Sequence, residues 1–426
     1  MKHKLFTKNF TLLILGQASS LFGNYILRLA LSMYVLDATG SATVFAGILS
    51  LAVVPSILLS PLGGILADRA DKRKVMAALD SLTGTAVLCA ALCLSEQNAV
   101  AVITVLLVTL SVFGAFETPT VQACIPQMLT GSQIIRGNAV VNQVASVSYL
   151  TAPMLGGILY AALGLKPVMY ASVVCFFVTA LFECFIKLEY HPIDGGQNIL
   201  SMVKNDFLTS ITFITKERTD ILKLLLLAAC SRFFVMGVTL VGLPFLVRTI
   251  LSLDAKYYGA AESMLAIATI AGSIAAGLLT GKLRFRSLSL VLAAIGMCML
   301  PAGIVFFSGA DTAVKYAVNI AAFCGMQIAV SIFSIFAVSM IQQNTPDHLI
   351  GKVMAYTSAV TMCAQPAGQM VYGFLFDGFR EMVSLVLIPS GVIVCMIGLL
   401  SAGFFKRLEE KQEELMDMKN QQDRDC

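Results

Sequence analysis

The chain contains about twelve apolar segments, each of about 20 residues or more, that follow one another with short connections from Phe10 to Phe405. Such a segment can cross the hydrocarbon core of a bilayer as a helix, because a helix satisfies its own backbone polar groups in lipid. Only 13% of the 426 residues are charged and 58% are hydrophobic, whereas a soluble domain carries roughly a quarter charged residues. The pattern therefore predicts an all-α integral membrane protein.

The predicted spans form two groups of six, separated by a polar segment. They lie at 10–36, 43–66, 75–95, 99–121, 134–162 and 167–187, and then at 222–249, 257–280, 286–308, 313–340, 352–376 and 383–405. The predicted divisions are an N-terminal half at 1–187, a cytoplasmic linker at 188–221, a C-terminal half at 222–405 and a cytoplasmic tail at 406–426. Gly64 and Gly277 are separated by the same number of residues as Pro153 and Pro366. This shared spacing indicates that the two halves are repeats of one six-helix unit.

Lysine and arginine are concentrated in alternate connections between the predicted spans. If the N-terminus is cytoplasmic, most basic residues fall in cytoplasmic segments and few fall in external ones. Because positive residues are retained on the cytoplasmic side, both termini are predicted to be cytoplasmic in a multi-pass protein of the cell membrane. The first apolar run continues to about Leu36 without a cleavage pattern, so it is predicted to remain as a span.

The most specific local pattern is GILADRADKRK, which begins at Gly64 between the second and third predicted spans. A glycine permits close helix packing, an aspartate can cap a neighbouring helix, and a basic run can bind anionic headgroups. The pattern resembles the loop between the second and third helices of the major facilitator superfamily. The resemblance implies a latch between the two halves that breaks as a transporter changes state, with these residues: Gly64, Asp68, Arg69, Lys72 and Arg73.

A second pattern, APMLGG, begins at Ala152 in the fifth predicted span. Proline removes a helix hydrogen bond and small residues allow close contact, so a bend with tight packing is predicted at Pro153, Gly156 and Gly157. The pattern is similar to an element of the superfamily's exporters, with Ala152 replacing the first glycine, and it implies export rather than import. A structural kink with no bearing on direction is the alternative.

The resemblance covers nearly the whole chain and is strongest to twelve-span bacterial drug exporters of the macrolide-efflux type. It implies the major facilitator fold, alternating access and a functional monomer. The chain departs from the family at Asp71, where glycine is usual, which predicts a less flexible turn and a partly offset basic cluster. The fourth span lacks the arginine motif of many members and has Glu117 instead, so their proton-coupling scheme does not transfer directly.

Arg28 is the clearest charged residue within a predicted span, where a charge costs about 2.5–3.5 kcal/mol on insertion scales. Gln17, Asn24 and Arg28 lie within about 40° of one another on one helical face. This face is predicted to line a substrate cavity, in which Arg28 binds an anionic group or pairs with a carboxylate; a structural ion pair is the alternative. Arg232 is a further cavity candidate, as the lone buried cation predicted in the second half. Other candidates lie at helical spacing along the fifth, tenth and eleventh spans: Asn142, Ser146, Tyr149, Gln327, Ser331, Ser334, Gln365 and Tyr372.

Carboxylates within the predicted spans are candidates for proton coupling, because burial can let a carboxyl take up and release a proton near neutrality. Asp80 and Glu117 are the predicted coupling residues. Glu183 lies near the end of its span and is predicted to be solvated.

The leading functional prediction is a secondary active transporter, specifically a proton-coupled exporter of drug-like or amphipathic small molecules. The alternatives are an exporter or importer of a narrow solute such as a siderophore, peptide or metabolite, a membrane sensor, or a lipid-handling protein. The sequence has no GxxxxGK[ST] run, intramembrane Ser/His/Asp set or metal-ligand spacing, so no enzymatic activity, cofactor or metal is predicted. The predicted partners are the substrate, protons and membrane lipids, and not nucleic acid.

Overall fold

The computed structural model describes residues 5–130, 132–188, 218–279, 284–346 and 349–410, and over these residues the chain is helical with no strand. The first six helices are α1 (Lys8–Thr39), α2 (Ala42–Arg69), α3 (Lys72–Cys93), α4 (Ala99–Met128), α5 (Ser132–Leu163) and α6 (Leu165–Cys184). The next six are α7 (Thr219–Ile250), α8 (Ala255–Leu279), α9 (Leu288–Ile304), α10 (Thr312–Gln343), α11 (Ile350–Gly378) and α12 (Ser384–Leu400). The predicted all-α fold is confirmed.

Ten of these helices, within the described ranges, are long and apolar enough to cross a membrane. The other two are α9, which is apolar but shorter, and α11, which carries the polar side chains Thr357, Thr361, Gln365 and Gln369. Polar side chains on a membrane helix face protein or a water-filled cavity rather than lipid. The protein is therefore a multi-pass membrane protein, and its helices coincide with the predicted spans.

Helix α7 does not have the regular geometry that a simple apolar span predicts. It is α-helical over Thr219–Gly237, and π-helical over Val238–Gly242 and Leu246–Ile250, with the short α-helical stretch Leu243–Phe245 between them. Pro244 lies in this stretch and lacks a backbone donor, which disrupts the regular hydrogen-bond ladder. Stretches of π-helix are frequent at functional sites.

By internal packing the chain divides into two compact units. The first unit comprises 1–196 and 241–266, and the second comprises 197–240 and 267–426. The first unit therefore contains α1 to α6 together with the end of α7 and the beginning of α8. The predicted linker at 188–221 and tail at 406–426 lie mostly outside the described residues.

Helix α1 is held in the first unit by polar contacts with α6. Ser172 Oγ donates to the Gly23 carbonyl oxygen at 3.1 Å, and Thr179 Oγ1 donates to the Gly16 carbonyl oxygen at 3.0 Å. Hydroxyl groups that bond across helices are common in membrane proteins, and glycine allows the backbones to approach. Because Gly16 and Gly23 face α6, the polar face of α1 that contains Arg28 points elsewhere.

The α5 segment around Pro153 packs tightly against α8 and α1. A Cβ atom at Gly157 would lie 2.6 Å from the Ala255 carbonyl oxygen, and one at Gly259 would lie 2.3 Å from the Pro153 carbonyl oxygen. A Cβ atom at Gly156 would lie 3.2 Å from Ile26 Cα. The structure thus shows close contacts where APMLGG predicts them, while the exporter role of the motif stays a prediction.

We expect Gly259→Ala to lower the melting temperature of the purified protein, because the new methyl group would overlap the backbone of α5. Overpacking of this kind costs about 1–3 kcal/mol. The matched control is Gly277→Ala in the same helix, where no described atom lies within 4 Å of the new Cβ. Equal melting temperatures for the two variants, measured by a thermal-shift assay, would contradict the close α5–α8 contact.

Candidate functional site

A polar cavity of about 400 Å³ lies in the first unit, with walls from α1, α2, α4 and α5. Its volume falls within the range of about 300–1,000 Å³ for small-molecule pockets. The sequence candidates on its wall are Gln17, Asn24, Arg28, Glu117 and Asn142. The face of α1 selected from the sequence is thus the face that lines the cavity, while substrate binding by these residues stays a prediction.

The side chain of Arg28 is oriented within this cavity by a residue one turn earlier. Arg28 Nε donates to Asn24 Oδ1 at 2.6 Å. Within the described part of the chain, Arg28 forms no ion pair with a carboxylate and no further hydrogen bond. Arg28 nevertheless lies within electrostatic range of Glu117, so pairing with a carboxylate stays an alternative to ligand binding. The guanidinium group retains donors that can bind an anionic or carbonyl group of a ligand.

Ser20 of α1 connects two carboxyl groups from different helices. Its Oγ donates to Asp80 Oδ1 of α3 at 3.0 Å and lies 3.4 Å from Glu117 Oε1 of α4. Glu117 lines the cavity, whereas Asp80 is 0% exposed and lies behind the cavity wall. A hydroxyl has one proton to donate, so Ser20 cannot satisfy both carboxylates fully unless one of them carries a proton.

Glu183 of α6 is a third member of this carboxyl cluster, and the prediction that it is solvated is wrong. Its side chain is 0% exposed, because the end of α6 packs against α3. Both carboxyl oxygens of Glu183, and Oδ2 of Asp80, accept no hydrogen bond from the described residues. The two side chains are nevertheless close enough to hydrogen-bond once one is protonated. Two buried carboxylates near each other repel when both are ionised, so a proton shared between them would stabilise this arrangement.

The second unit carries a smaller pocket of its own, of about 160 Å³, with a mostly apolar lining that includes Arg232. Arg232 Nη2 donates to Gln365 Oε1 at 3.1 Å, which connects α7 with α11. Arg232 Nε and Gln327 Oε1 are buried and have no partner among the residues that are described. These three sequence candidates therefore belong to the second unit, and neither Gln327 nor Gln365 lines its pocket.

The loop between α2 and α3 is shaped by Asp71, which caps α3. Asp71 Oδ1 accepts a hydrogen bond from the Lys74 backbone nitrogen at 3.4 Å, and its Oδ2 lies 3.5 Å from Lys74 Nζ. An aspartate at this position stabilises the start of a helix. The residue that departs from the family pattern thus has a local structural role, as a helix cap.

The close helix contact predicted at Gly64 lies one residue earlier. A Cβ atom at Gly63 would lie 2.1 Å from the Ala115 carbonyl oxygen of α4, whereas one at Gly64 has no described atom within 4 Å. The close contact of α2 with α4 is therefore made at Gly63, and the packing role of Gly64 in the latch stays a prediction. Arg69 ends α2 and Lys72 begins α3. The latch stays a prediction, and the side chain of its Asp68 lies outside the described parts of the structure.

Glu262 of α8 lies outside the residues that the sequence patterns select, although it lies within the predicted span 257–280. Tyr258 Oη donates to Glu262 Oε1. No lysine, arginine or histidine in the described ranges forms an ion pair with Glu262. A lone acidic residue inside an apolar span indicates a functional role, so the sequence alone contains a signal that identifies Glu262 as a candidate.

An ion pair joins the end of α1 to the end of α7 within the first unit. Arg248 Nε and Nη2 donate to Asp37 Oδ1 and Oδ2 at 2.9 and 2.6 Å. Tyr160 Oη of α5 also donates to Asp37 Oδ2, at 2.9 Å. This two-point contact ties the last π-helical stretch of α7 to α1 and α5.

A multi-pass helical bundle with polar cavities among its helices, built from two repeats, is the architecture of a secondary transporter. The sequence matches the model of the Major Facilitator Superfamily over residues 13–369. The chain belongs to this superfamily, and it is a membrane transporter.

Known proteins resemble the chain at low identity. It is 23% identical over 400 residues to macrolide efflux protein A of Streptococcus pyogenes, covering 90% of this chain and 93% of that protein. It is 23% identical over 257 residues to the staphyloferrin A transporter of Staphylococcus aureus, covering 59% and 62%. The crystal structure of the nucleoside transporter NupG matches with a TM-score of 0.72 at 11% identity, over 92% of this chain and 99% of that one, which shows a shared fold.

We predict that Glu183→Gln weakens the protonated-carboxyl band in the infrared spectrum of the purified protein at neutral pH. The glutamine amide can donate to Asp80, which no longer needs a shared proton. Asp80→Asn is expected to have the same effect. The control is Glu381→Gln, which alters an exposed carboxylate and leaves the band unchanged. An unaltered band in both cluster variants, with melting temperatures near that of the wild type, would rule out the shared proton.

Proposed function

We propose that the protein is a proton-coupled exporter of drug-like, amphipathic small molecules that works by alternating access in the cell membrane. The observation that supports this proposal most directly is that the Ser20 hydroxyl contacts both Glu117, on the wall of the polar cavity, and the buried Asp80. The distribution of lysine and arginine supports a cytoplasmic location for both termini.

The cavity of the first unit provides polar groups for one end of an amphipathic substrate. Arg28 retains guanidinium donors in the cavity. A ligand carbonyl or anionic group would satisfy these donors, and a buried donor without an acceptor is destabilising. The remaining contacts of an amphipathic substrate are apolar and come from neighbouring side chains.

The carboxyl cluster provides a place for the coupling proton. A proton on Glu117 or Asp80 relieves the repulsion around Ser20, and loss of this proton restores a carboxylate next to the substrate cavity. Proton and substrate therefore influence each other through Glu117, since both act on the same side chain. Asp80 and Glu183 extend the proton site away from the cavity. The latch that breaks as the transporter changes state is formed by Asp68, Arg69, Lys72 and Arg73.

Two observations support export as the direction. The first is the APMLGG pattern, whose Gly157 allows α5 to contact α8 closely. The second is the similarity to macrolide efflux protein A over most of both chains. A second candidate function is transport of a siderophore-like solute, which the similarity to the staphyloferrin A transporter favours.

The test is substrate uptake into inside-out vesicles with and without a proton gradient, using amphipathic dyes, macrolides and a carboxylate siderophore. We expect Glu117→Gln and Arg28→Ala to reduce gradient-driven uptake by about tenfold or more, because each removes a charged hydrogen-bonding group from the cavity. The control variants Glu381→Gln and Arg380→Ala alter exposed residues and retain uptake.

Three other outcomes would change the proposal. Full uptake by both cavity variants, at normal membrane levels, would contradict the assigned cavity. Uptake at the same rate with and without the proton gradient would contradict proton coupling. Movement of the siderophore alone would replace the drug-like substrate with the narrow solute.

A further inference from the structure

A cavity of about 390 Å³ lies in the second unit, between the first turns of α7 and the helical residues that continue α12 to Glu410. The distribution of lysine and arginine predicts that both of these helix ends face the cytoplasm. None of the described residues that line the cavity is a candidate for binding the substrate or the coupling proton. The cavity therefore needs an explanation of its own.

The lining of this cavity has more positive than negative side chains. Its described residues include the cations Lys223 and Arg407 and one carboxylate, that of Asp220. Asp220 lies in the first turn of α7, where a carboxylate interacts favourably with the helix dipole. Within the described ranges, neither cation forms an ion pair with a carboxylate. Both cations can therefore bind an anion that enters the cavity.

An aromatic ring holds one cation near the other. Lys223 Nζ lies 5.6 Å from the centroid of the Phe404 ring, a cation–π contact that joins α7 to the helical residues after α12. Phe404 packs on Phe405, whose side chain is 0% exposed, with ring centroids 5.3 Å apart. Arg407 follows Phe404 by three residues, so it lies on the same side of that helix. The two cations thus converge on one cavity.

Apolar side chains adjoin the two cations on the membrane side of the cavity. Leu400 lines the cavity and is 78% exposed. Met396 lies one turn before Leu400, Leu226 lies one turn after Lys223, and both are also exposed. Acyl chains are as apolar as leucine, so they are the expected neighbours of such side chains in a bilayer. A phospholipid has both parts that this surface fits, an anionic phosphate and an acyl chain.

We propose that this cavity binds the headgroup of an anionic phospholipid from the cytoplasmic leaflet, with the phosphate on Lys223 and Arg407. An acyl chain of the same lipid lies along Leu400 and Leu226. Basic pockets between membrane helices on the cytoplasmic side are suited to anionic headgroups. The bound lipid connects the start of α7 with the end of the last membrane helix and so stabilises the second unit. This site is independent of the transported compound and of the coupling ion.

The test is native mass spectrometry of the purified protein titrated with phosphatidylglycerol, with phosphatidylcholine of the same acyl chains as the zwitterionic reference. We expect the wild type to bind phosphatidylglycerol more tightly. Lys223→Gln and Arg407→Gln are each expected to weaken this binding about fivefold, and the double variant about twentyfold or more. Phosphatidylglycerol is also expected to raise the melting temperature of the wild type but not that of the double variant.

Two further variants distinguish a defined site from general attraction to a basic surface. Lys406→Gln removes the charge next to Arg407, but Lys406 does not line the cavity and lies 3.7 Å from Glu410. This control is expected to bind phosphatidylglycerol within about twofold of the wild type. Gly403→Leu keeps every charge and fills the cavity, where a new Cβ has no described atom within 4 Å. It is expected to weaken binding at least as much as the loss of one cation.

Three results would overturn the inference. The first is a wild type that does not prefer phosphatidylglycerol. The second is equal weakening by Lys406→Gln and Arg407→Gln, or full binding by Gly403→Leu, since the attraction would then come from the surface charge in general. The third is displacement of the lipid by inorganic phosphate with phosphate binding lost in the double variant, which would make the cavity a site for free phosphate. All of these measurements are made without substrate or a gradient, so they are separate from the tests of transport.

Discussion

The rest of the structure depends on one constraint, which is that the polar groups of α1 have no water to bind inside a bilayer. One face of α1 meets this constraint through α6, whose Ser172 and Thr179 hydroxyls bond to the backbone at Gly23 and Gly16. The adjacent face, with Gln17, Asn24 and Arg28, cannot turn toward lipid, because a charge there is too costly. It therefore has to border a cavity, and α4 and α5 form the opposite walls.

In the proposed mechanism, Ser20 is the residue through which the cavity and the buried carboxyl groups affect each other. On one side of its hydroxyl is Glu117, which a ligand in the cavity can reach, and on the other is Asp80, which a ligand cannot reach. A change in the charge of one carboxyl alters the hydrogen bond available to the other, because both share one donor. Glu183 of α6, which is also buried, enlarges this group.

The sequence predicted the features that depend on local periodicity. The apolar runs located the helices, and the spacing of Gln17, Asn24 and Arg28 located the cavity face of α1. It did not predict features that depend on how helices contact each other. Glu183 is buried because of α3–α6 packing, and the Gly63–Ala115 contact depends on which face of α2 meets α4. The pairing of Asp37 with Arg248 joins residues far apart in the chain, and π-helical stretches have no periodic pattern to reveal them.

The central claim, that substrate and proton act on one carboxyl cluster, is tested most directly by proton release on substrate binding. A compound that the wild type exports would be added to purified protein in weakly buffered solution containing a pH indicator. The account predicts that wild-type protein releases protons on binding, and that Glu117→Gln and Asp80→Asn release far fewer while still binding the compound. Binding without proton release from the wild type, or equal release from all three proteins, would contradict it.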